Sequence, residues 1–161
     1  VKMDSVDVLL FEHSIIRLKS KELSEIKNAL DGFIPFNEFV INCHAKHEDE
    51  IVFPILMKKE EDDQEFIKYV KRISADHKLI ATLGGNIEKW INEKNFEMLE
   101  RRIPLYFKTL LEHNLNEEKD IFVRWKPEYA VPFKHIINSF GAEKYRSITG
   151  ASDEMVSKYY L

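Results

Sequence analysis

The sequence predicts an all-α protein, an up-down-up-down four-helix bundle with a C-terminal helical extension. Four long stretches place apolar residues three and four positions apart, which is the helical pattern. Only five glycines and five prolines occur among 161 residues, and 44% of the residues are hydrophobic, which suffices for a core. Short polar links separate stretches of about 25 residues, and such links are typical of antiparallel bundles.

The first two helices are expected within residues 1–59. The first is predicted from about residue 4 to residue 30, where the turn residues Asp31-Gly32 end it. The second is predicted to begin near Pro35, because proline is favoured in a first helical turn. A charged run at 58–63, two lysines followed by four acidic residues, then predicts a solvated turn.

The third and fourth helices are predicted at 66–91 and 96–125, with a break around 92–95. Pro104 is expected to kink the fourth helix or to restart it. The aromatic-rich remainder predicts short helices that either cap the bundle or make a dimer contact. We therefore expect a bundle at 1–126 and an extension at 127–161 within one domain, with a possible homodimer through the aromatic segment.

Composition and charge exclude several classes of protein. No apolar run approaches the roughly 18 residues that a membrane span needs, and the first residues do not resemble a signal peptide. The net charge of −4 offers no basic face for nucleic acid. A single cysteine, Cys43, excludes an intrachain disulfide and suits a reducing compartment. The expectation is a cytoplasmic protein that binds neither nucleic acid nor membrane.

Each predicted helix carries a histidine on its apolar stripe. In two of the helices, a glutamate follows that histidine at the fourth position along the chain. The paired positions are His44-x-x-x-Glu48 and His113-x-x-x-Glu117. At about 100° per residue, side chains at i and i+4 project side by side. Imidazole and carboxylate can therefore bind the same metal ion or adjacent ions.

The other two helices carry an acid followed by histidine, Glu12-His13 and Asp76-His77, so the chain has a twofold internal repeat. With 28 acidic residues in the chain, one H-x-x-x-E pattern is weak evidence, and the repeat is what makes it specific. Burying four imidazoles and two carboxylates without a cation costs several kcal/mol. The sequence therefore predicts a metal site in the bundle core.

From about Ser5 to Trp125 the sequence resembles the hemerythrin-like, HHE cation-binding family. The resemblance rests on these residues: Glu12-His13, His44-x-x-x-Glu48 with Asp49, Phe53 and Pro54, Asp76-His77, and His113-x-x-x-Glu117 with Glu118 and Phe122. It implies a non-haem di-iron centre inside a four-helix bundle. It further implies that His13, His44, His77 and His113 are terminal ligands and that Glu48 and Glu117 are bridging carboxylates.

This chain departs from the oxygen-carrying members of that family. Those members have a fifth histidine one turn away on the third helix, where this chain has Ile73 and Ala81. Their last carboxylate is an aspartate five residues after its histidine, whereas Glu117 follows at four. The pattern resembles the members with four histidines and two glutamates, some of which sense oxygen or iron.

The cofactor that this resemblance implies is two iron ions joined by a hydroxo or oxo bridge. One or both ions would have an open coordination position. Such a cationic, imidazole-rich centre attracts small reducible ligands such as O₂, peroxide or NO. Manganese and zinc also accept these ligands. Three interpretations stay open: a protein that reacts with these ligands, an oxygen- or iron-sensing or iron-handling module without turnover, and a structural bundle that holds no metal or holds zinc or manganese.

Several further residues carry expectations about their positions. Glu12 and Asp76 lie about 100° from their neighbouring histidines and are expected to be exposed rather than beside the ligands. His47 is expected at an exposed or rim position, with a fifth metal ligand as the alternative. His135 is expected to face solvent, and Cys43 to be a packed core thiol.

Two residues are candidates for lining a ligand pocket. Tyr106 lies seven residues before His113 on the same face, and packs in the core or lines the pocket. Gly84 lies seven residues after His77, where it leaves room beside the metals or permits tight helix packing. His47 is the third pocket candidate.

Overall fold

The computed structural model describes residues 2–160, which form helices and connecting turns without any β-strand. The α-helices are α1 (Ser5–Leu23), α2 (Ile26–Phe39), α3 (Ala45–His47), α4 (Phe53–Lys59), α5 (Gln64–Asn92), α6 (Phe96–Asp120), α7 (Lys134–Phe140), α8 (Ala142–Thr149) and α9 (Asp153–Ser157). Two π-helical segments, Val40–His44 and Glu48–Val52, join α2, α3 and α4 into one continuous helical segment at 26–59. The predicted all-helical fold is confirmed.

The predicted boundary between the first two helices is wrong. The break falls after α1 at 24–25, and Asp31, Gly32 and Pro35 all lie inside α2. Gly32 does not end a helix; it allows close packing, because a Cβ there would come within 2.8 Å of the Leu23 side chain. Pro35 costs α2 one backbone hydrogen bond. The buried phenyl rings of α2 offset that cost.

The third and fourth helices lie where they were predicted. Asp63 caps α5 by accepting a hydrogen bond from the Phe66 amide, and Asn95 caps α6 by accepting one from Met98. Pro104 lies inside α6 without ending it, so the predicted restart does not occur. Helix α6 ends at Asp120, a little before the predicted end.

The buried apolar residues form two clusters with a polar layer between them. The Phe33 cluster includes Ile16, Phe33, Phe36, Val40, Ile80, Tyr106 and Leu110. The Phe53 cluster includes Leu9, Val52, Phe53, Phe66, Ile73 and Ile121. On α5, His77 lies between Ile73 of one cluster and Ile80 of the other. The apolar clusters therefore enclose the polar layer from above and below.

The C-terminal extension folds as the predicted short helices and packs on the long ones. Helix α7 contacts the first π-helical segment, and α8 contacts α2. The side chains of Phe133, Tyr145 and Tyr159 are fully buried. The Met3 backbone amide donates to the Lys158 carbonyl at 2.8 Å, which ties the end of the chain to its start. This burial favours the interpretation of the extension as a cap on the bundle.

Among the described residues, no helix combines the length and the apolar character that crossing a bilayer requires.

Candidate metal centre

The six side chains that the sequence singled out converge in the polar layer. They form two groups, each of which has its ligand atoms within 4.8 Å of one another. The groups are His13, His44, Glu48 and Glu117, and His77, His113, Glu48 and Glu117. Both glutamates belong to both groups, so two adjacent cation positions would share them.

Each glutamate directs its two oxygens to different histidines. Glu48 Oε2 lies 3.4 Å from His44 Nε2, and Glu48 Oε1 lies 2.9 Å from His77 Nε2. Glu117 Oε1 lies 3.2 Å from His13 Nε2, and Glu117 Oε2 lies 3.2 Å from His113 Nε2. This is the arrangement that a carboxylate needs in order to bridge two ions.

The donor atoms of this cluster fit a metal ion. All four oxygens of Glu48 and Glu117 are buried, and so are the Nε2 atoms of His13 and His44; none of these six atoms has a hydrogen-bond partner among the described residues. Buried carboxylate oxygens without hydrogen bonds are costly, and a cation between them removes that cost. Imidazole and carboxylate together suit iron, manganese and zinc. The residues present therefore fit a metal pair.

A second set of carboxylates holds the outward nitrogen of each imidazole. The contacts to Nδ1 are Glu118 on His13 at 2.6 Å, Glu12 on His44 at 2.8 Å, Asp49 on His77 at 2.8 Å and Asp76 on His113 at 3.1 Å. A neutral ring that donates from Nδ1 keeps the Nε2 lone pair free for a metal. These four acids therefore aim all four rings at the shared centre.

The expectation that Glu12 is exposed is wrong, and Asp76 is only partly exposed. Glu12 has no exposed surface, and the Asp76 side chain is 37% exposed while bonded to His113. The prediction placed each acid relative to the histidine on its own helix. In the structure each acid instead contacts a histidine of another helical segment. Residue spacing along one helix cannot predict such a pairing.

The sequence did carry a signal for these four acids. Each is the immediate neighbour of a candidate ligand, and each recurs at the equivalent place in the other half of the internal repeat. Glu12 and Asp76 precede a histidine, and Asp49 and Glu118 follow a glutamate. The repeat therefore extends from the candidate ligands to the residues that orient them.

The two π-helical segments adjoin the cluster. His44 is the last residue of the first segment, and Glu48 is the first residue of the second. A π-helical turn holds an extra residue and rotates the side chains that follow it, and such turns occur often at functional sites. No pattern in the sequence distinguishes these segments from ordinary α-helix.

Mutual contact sets the protonation of the metal-free cluster. Burial by itself lowers the pKa of His44, but the Glu48 charge and the hydrogen bond to Glu12 outweigh it and raise that pKa to about 9. Burial likewise lowers the pKa of His77, and Asp49 with Glu48 raises it to about 10. Metal ions bind deprotonated imidazole, so metal binding releases these protons.

The C-terminal extension reaches the cluster through one tyrosine. The Tyr145 hydroxyl donates to Glu12 Oε2 at 2.7 Å, and Glu12 Oε1 in turn accepts from His44 Nδ1. The Tyr145 and Tyr159 hydroxyls lie 2.8 Å apart. Burial and the Glu12 charge raise the pKa of Tyr145, so it stays a neutral donor. The sequence does not predict this contact, because no spacing rule links Tyr145 to α1.

The expectation that His47 lies at an exposed or rim position is wrong. His47 is fully buried; its Nε2 lies 2.8 Å from Ser5 Oγ, and its ring stacks on Phe133 at 4.6 Å. It is in neither ligand group. Burial lowers its pKa to about 4, so the ring is neutral at physiological pH. The expected positions of Cys43 and His135 are confirmed, since Cys43 is a buried free thiol and His135 is exposed.

Tyr106 and Gly84 lie together around a different residue, Asn37. The Tyr106 hydroxyl donates to Asn37 Oδ1 at 3.3 Å. A Cβ at Gly84 would come within 2.2 Å of the same oxygen, so glycine makes room for the Asn37 side chain. For Gly84, this contact favours the tight-packing alternative.

A cavity of about 520 Å³ opens beside the cluster. Three of the candidate ligands line it, His44, His77 and His113, so it connects the polar layer with the surface. The pocket candidates Tyr106, Gly84 and His47 are not among its lining residues. The cavity gives an exogenous ligand a route to the centre.

The fold and the donor set define a class, a helical bundle with a buried histidine and carboxylate cluster that fits metal ions. Residues 4–125 match the family model described as the hemerythrin HHE cation binding domain. The match spans most of the chain, so this protein belongs to that family, and the resemblance inferred from its residues is confirmed. The family implies a cation-binding site, for which the cluster supplies the candidate ligands. Comparison with curated proteins and with solved structures gave no match.

Proposed function

We propose that this protein binds two iron ions through His13, His44, Glu48, His77, His113 and Glu117 and reacts with O₂, peroxide or NO. The observation that carries the proposal is that each glutamate directs one oxygen to each histidine pair. Two histidines and two shared carboxylates would hold each ion and would leave coordination positions open for solvent and for an exogenous ligand. When bound, a ferrous pair supplies the electrons and the open position that such ligands need.

The roles of the chain's own residues follow from their contacts. Glu12, Asp49, Asp76 and Glu118 hold the Nδ1 protons and so fix the rings. Glu48 and Glu117 supply two negative charges against the four positive charges of two ferrous ions, which leaves a cationic centre. The two apolar clusters exclude water above and below, and the cavity admits the ligand from the side.

We also propose the up-down-up-down arrangement of the four long helical segments. Helix α1 passes from the Phe53 cluster at Leu9 to the Phe33 cluster at Ile16, and the segment at 26–59 passes back from Val40 to Val52. Helix α5 then runs in the same direction as α1. Helix α6 runs in the opposite direction, from Leu110 in the Phe33 cluster toward Ile121, which directly follows its last residue and lies in the Phe53 cluster. This alternation supports antiparallel neighbours.

Anaerobic loading with Fe(II) followed by metal counting tests the proposed function. We expect two irons per chain and a near-ultraviolet band, typical of paired ferric ions, after O₂ or peroxide is added. Glu48→Ala should lower the count, because both groups share this carboxylate. His135→Ala is the matched control, since His135 is exposed and lies outside the bundle.

Three results would contradict this function. One is an iron count near zero in the wild-type chain. The second is an unchanged count in Glu48→Ala. The third is two bound irons whose absorption spectrum does not change when O₂, peroxide or NO is added. That result would support iron handling and exclude reactivity with these ligands. Competition with Mn(II) and Zn(II) in the same titration decides which metal the site prefers.

A sensing role without turnover is the second candidate, and the contact of Tyr145 with Glu12 favours it. Through Glu12 the extension touches His44, so metal occupancy and the docking of the extension are physically linked. We expect a sensor to change the protease sensitivity of 127–160 when metal is removed. Equal cleavage of metal-free and loaded protein would argue against it.

A reducing, cytoplasmic location and a homodimer through the extension stay predictions.

A further inference from the structure

The cavity beside the cluster is far larger than a diatomic ligand requires. Its volume is about 520 Å³, whereas one water molecule occupies about 30 Å³ in the liquid. Cavities of several hundred Å³ are the size at which proteins bind small organic molecules. Part of its wall is apolar, formed by Val40, Ile41, Ala45, Ile80 and Leu110. A ligand with a hydrocarbon part therefore fits it better than O₂ or NO does.

The charged residues on the cavity wall balance one another. Lys46 and Lys78 line it together with Asp49 and Glu50. Two cationic and two anionic side chains give no net attraction for an anion. Apart from the cationic centre itself, the cavity wall therefore selects no charged ligand and accommodates a neutral one.

Asn114 adds a specific polar group to this wall. It follows His113 and lines the cavity, and the residue is 1% exposed. Neither its Nδ2 amide nor its Oδ1 carbonyl has a hydrogen-bond partner among the described residues. A buried amide without partners is costly, so its presence points to a ligand that satisfies it. Since the amide both donates and accepts, the matching ligand also does both.

We propose that this cavity binds neutral alkyl hydroperoxides, with the hydrocarbon group on the apolar wall and the O–OH group at Asn114. A hydroperoxide donates from its terminal O–H and accepts at both oxygens, which O₂ and NO cannot do. Asn114 is thus the specificity-determining residue of the cavity. The proposal rests on the proposed function and narrows its ligand class.

The reaction that follows from this assignment is a two-electron reduction. An iron pair held by the six candidate ligands would supply the two electrons, so that cleavage of the O–O bond of ROOH with two solvent protons would give ROH and water. One hydroperoxide is consumed per ferrous pair unless an external reductant restores it.

A binding experiment on metal-free protein tests the cavity without any turnover. The probe is 2-phenyl-2-propanol, the alcohol product of cumene hydroperoxide, followed by NMR chemical shifts. We expect saturable binding to the wild-type chain, weakened about tenfold or more in Asn114→Leu, because one lost hydrogen bond is worth about this much. Ile41→Trp, which fills the apolar wall, should also abolish saturation. Asn116→Leu and Leu115→Trp on the same helix are matched controls, because neither residue lines the cavity.

The iron-loaded protein gives the second measurement. We expect a KM for cumene hydroperoxide about tenfold or more below that for hydrogen peroxide. Ile41→Trp should raise the KM for cumene hydroperoxide and leave the KM for hydrogen peroxide unchanged. Asn114→Leu should raise both, while its melting temperature stays equal or rises, because an unpartnered amide has been removed.

The possible failures can be told apart. Absent alcohol binding, or equal binding in Asn114→Leu and the wild type, overturns this inference even if iron binds. Equal KM values for the two peroxides also overturn it. Saturable alcohol binding in a chain that takes up no iron leaves the cavity as assigned and overturns the proposed function instead.

Discussion

Tyr145 is the residue through which the extension can influence metal affinity. Its hydroxyl satisfies one oxygen of Glu12, while the other oxygen holds the His44 ring. Without that hydroxyl, Glu12 keeps a buried oxygen without a partner and is free to turn. Residues that orient a metal-binding imidazole change affinity by about 10-fold to 100-fold when they are lost.

We therefore expect Tyr145→Phe to bind metal about tenfold more weakly than the wild type. A Zn(II) titration against a competing chelator measures this. Tyr106→Phe is the control: it also removes a buried hydroxyl, but one that bonds Asn37 instead of an acid of the cluster. Equal affinity in the wild type and Tyr145→Phe would mean that the extension does not act on the centre.

His47 gives a prediction for acid stability. Its folded pKa of about 4 lies below the unfolded value of 6.5, so the folded state resists protonation. The corresponding stability is present above pH 6.5 and is lost as the pH falls toward 4. At about 1.4 kcal/mol per pKa unit, the loss is about 3 kcal/mol.

In His47→Gln the free energy of unfolding of metal-free protein should fall less steeply between pH 6.5 and pH 4. Urea titrations at several pH values measure the difference in slope. The other ionisable groups are common to both proteins, so they cancel in this comparison. Parallel curves would show that His47 is protonated without cost in the folded state.

The candidate ligands could be predicted from sequence, but their supporting residues could not. His44 and Glu48 share one helix face, so spacing alone brings them together. Glu12 meets His44 only through the packing of two different helices. The sequence contains the acids as neighbours of ligands, but not the rotation and offset of the helices that pair them.

Among the helices, the junction of α2 and α5 depends on one glycine. Gly84→Ala would gain about 1 kcal/mol of helix propensity, but its Cβ would collide with Asn37 Oδ1. Asn37 is held by Glu88 and Tyr106, so it cannot move without breaking a buried hydrogen bond. We expect Gly84→Ala to be destabilised by about 1–3 kcal/mol in chemical unfolding.

The neighbouring Gly85→Ala is the matched control. Apart from its chain neighbours and the nearby backbone of its own helix, no atom lies within 4 Å of the position of its Cβ, and Gly85 is exposed in the same helix. It should be stabilised by about 0.5–1 kcal/mol. If both variants were stabilised, the α2–α5 contact would be looser than described.

Local sequence signals predict some of the helix boundaries but not others. Asp63 and Asn95 are good caps, and α5 and α6 begin directly after them. Gly32 and Pro35 usually end or begin a helix, yet both lie within α2, because burial of Phe33 and Phe36 outweighs local preference. The π-helical segments lay beyond prediction, since they change helical phase without any change in composition.

For the whole molecule, bound metal should contribute directly to stability. The cluster links α1, the segment at 26–59, α5 and α6, and its donors can converge only in the folded chain. A ligand that binds only the folded state at 100 times its Kd stabilises it by about 2.7 kcal/mol. We expect metal to raise the melting temperature and a chelator to reverse the rise. A melting temperature that is independent of metal would contradict a shared centre.

The pairing of acids with imidazoles makes the two halves of the chain interdependent. Glu12 and Asp76 serve histidines of their own half, whereas Asp49 and Glu118 reach across to the opposite half. A single helical hairpin would thus keep only part of this arrangement. Two identical hairpins related by a dyad axis would restore all of it, since every contact in one would be repeated in its mate. The acid–imidazole contacts of the present chain have the twofold pattern of such a fused homodimer.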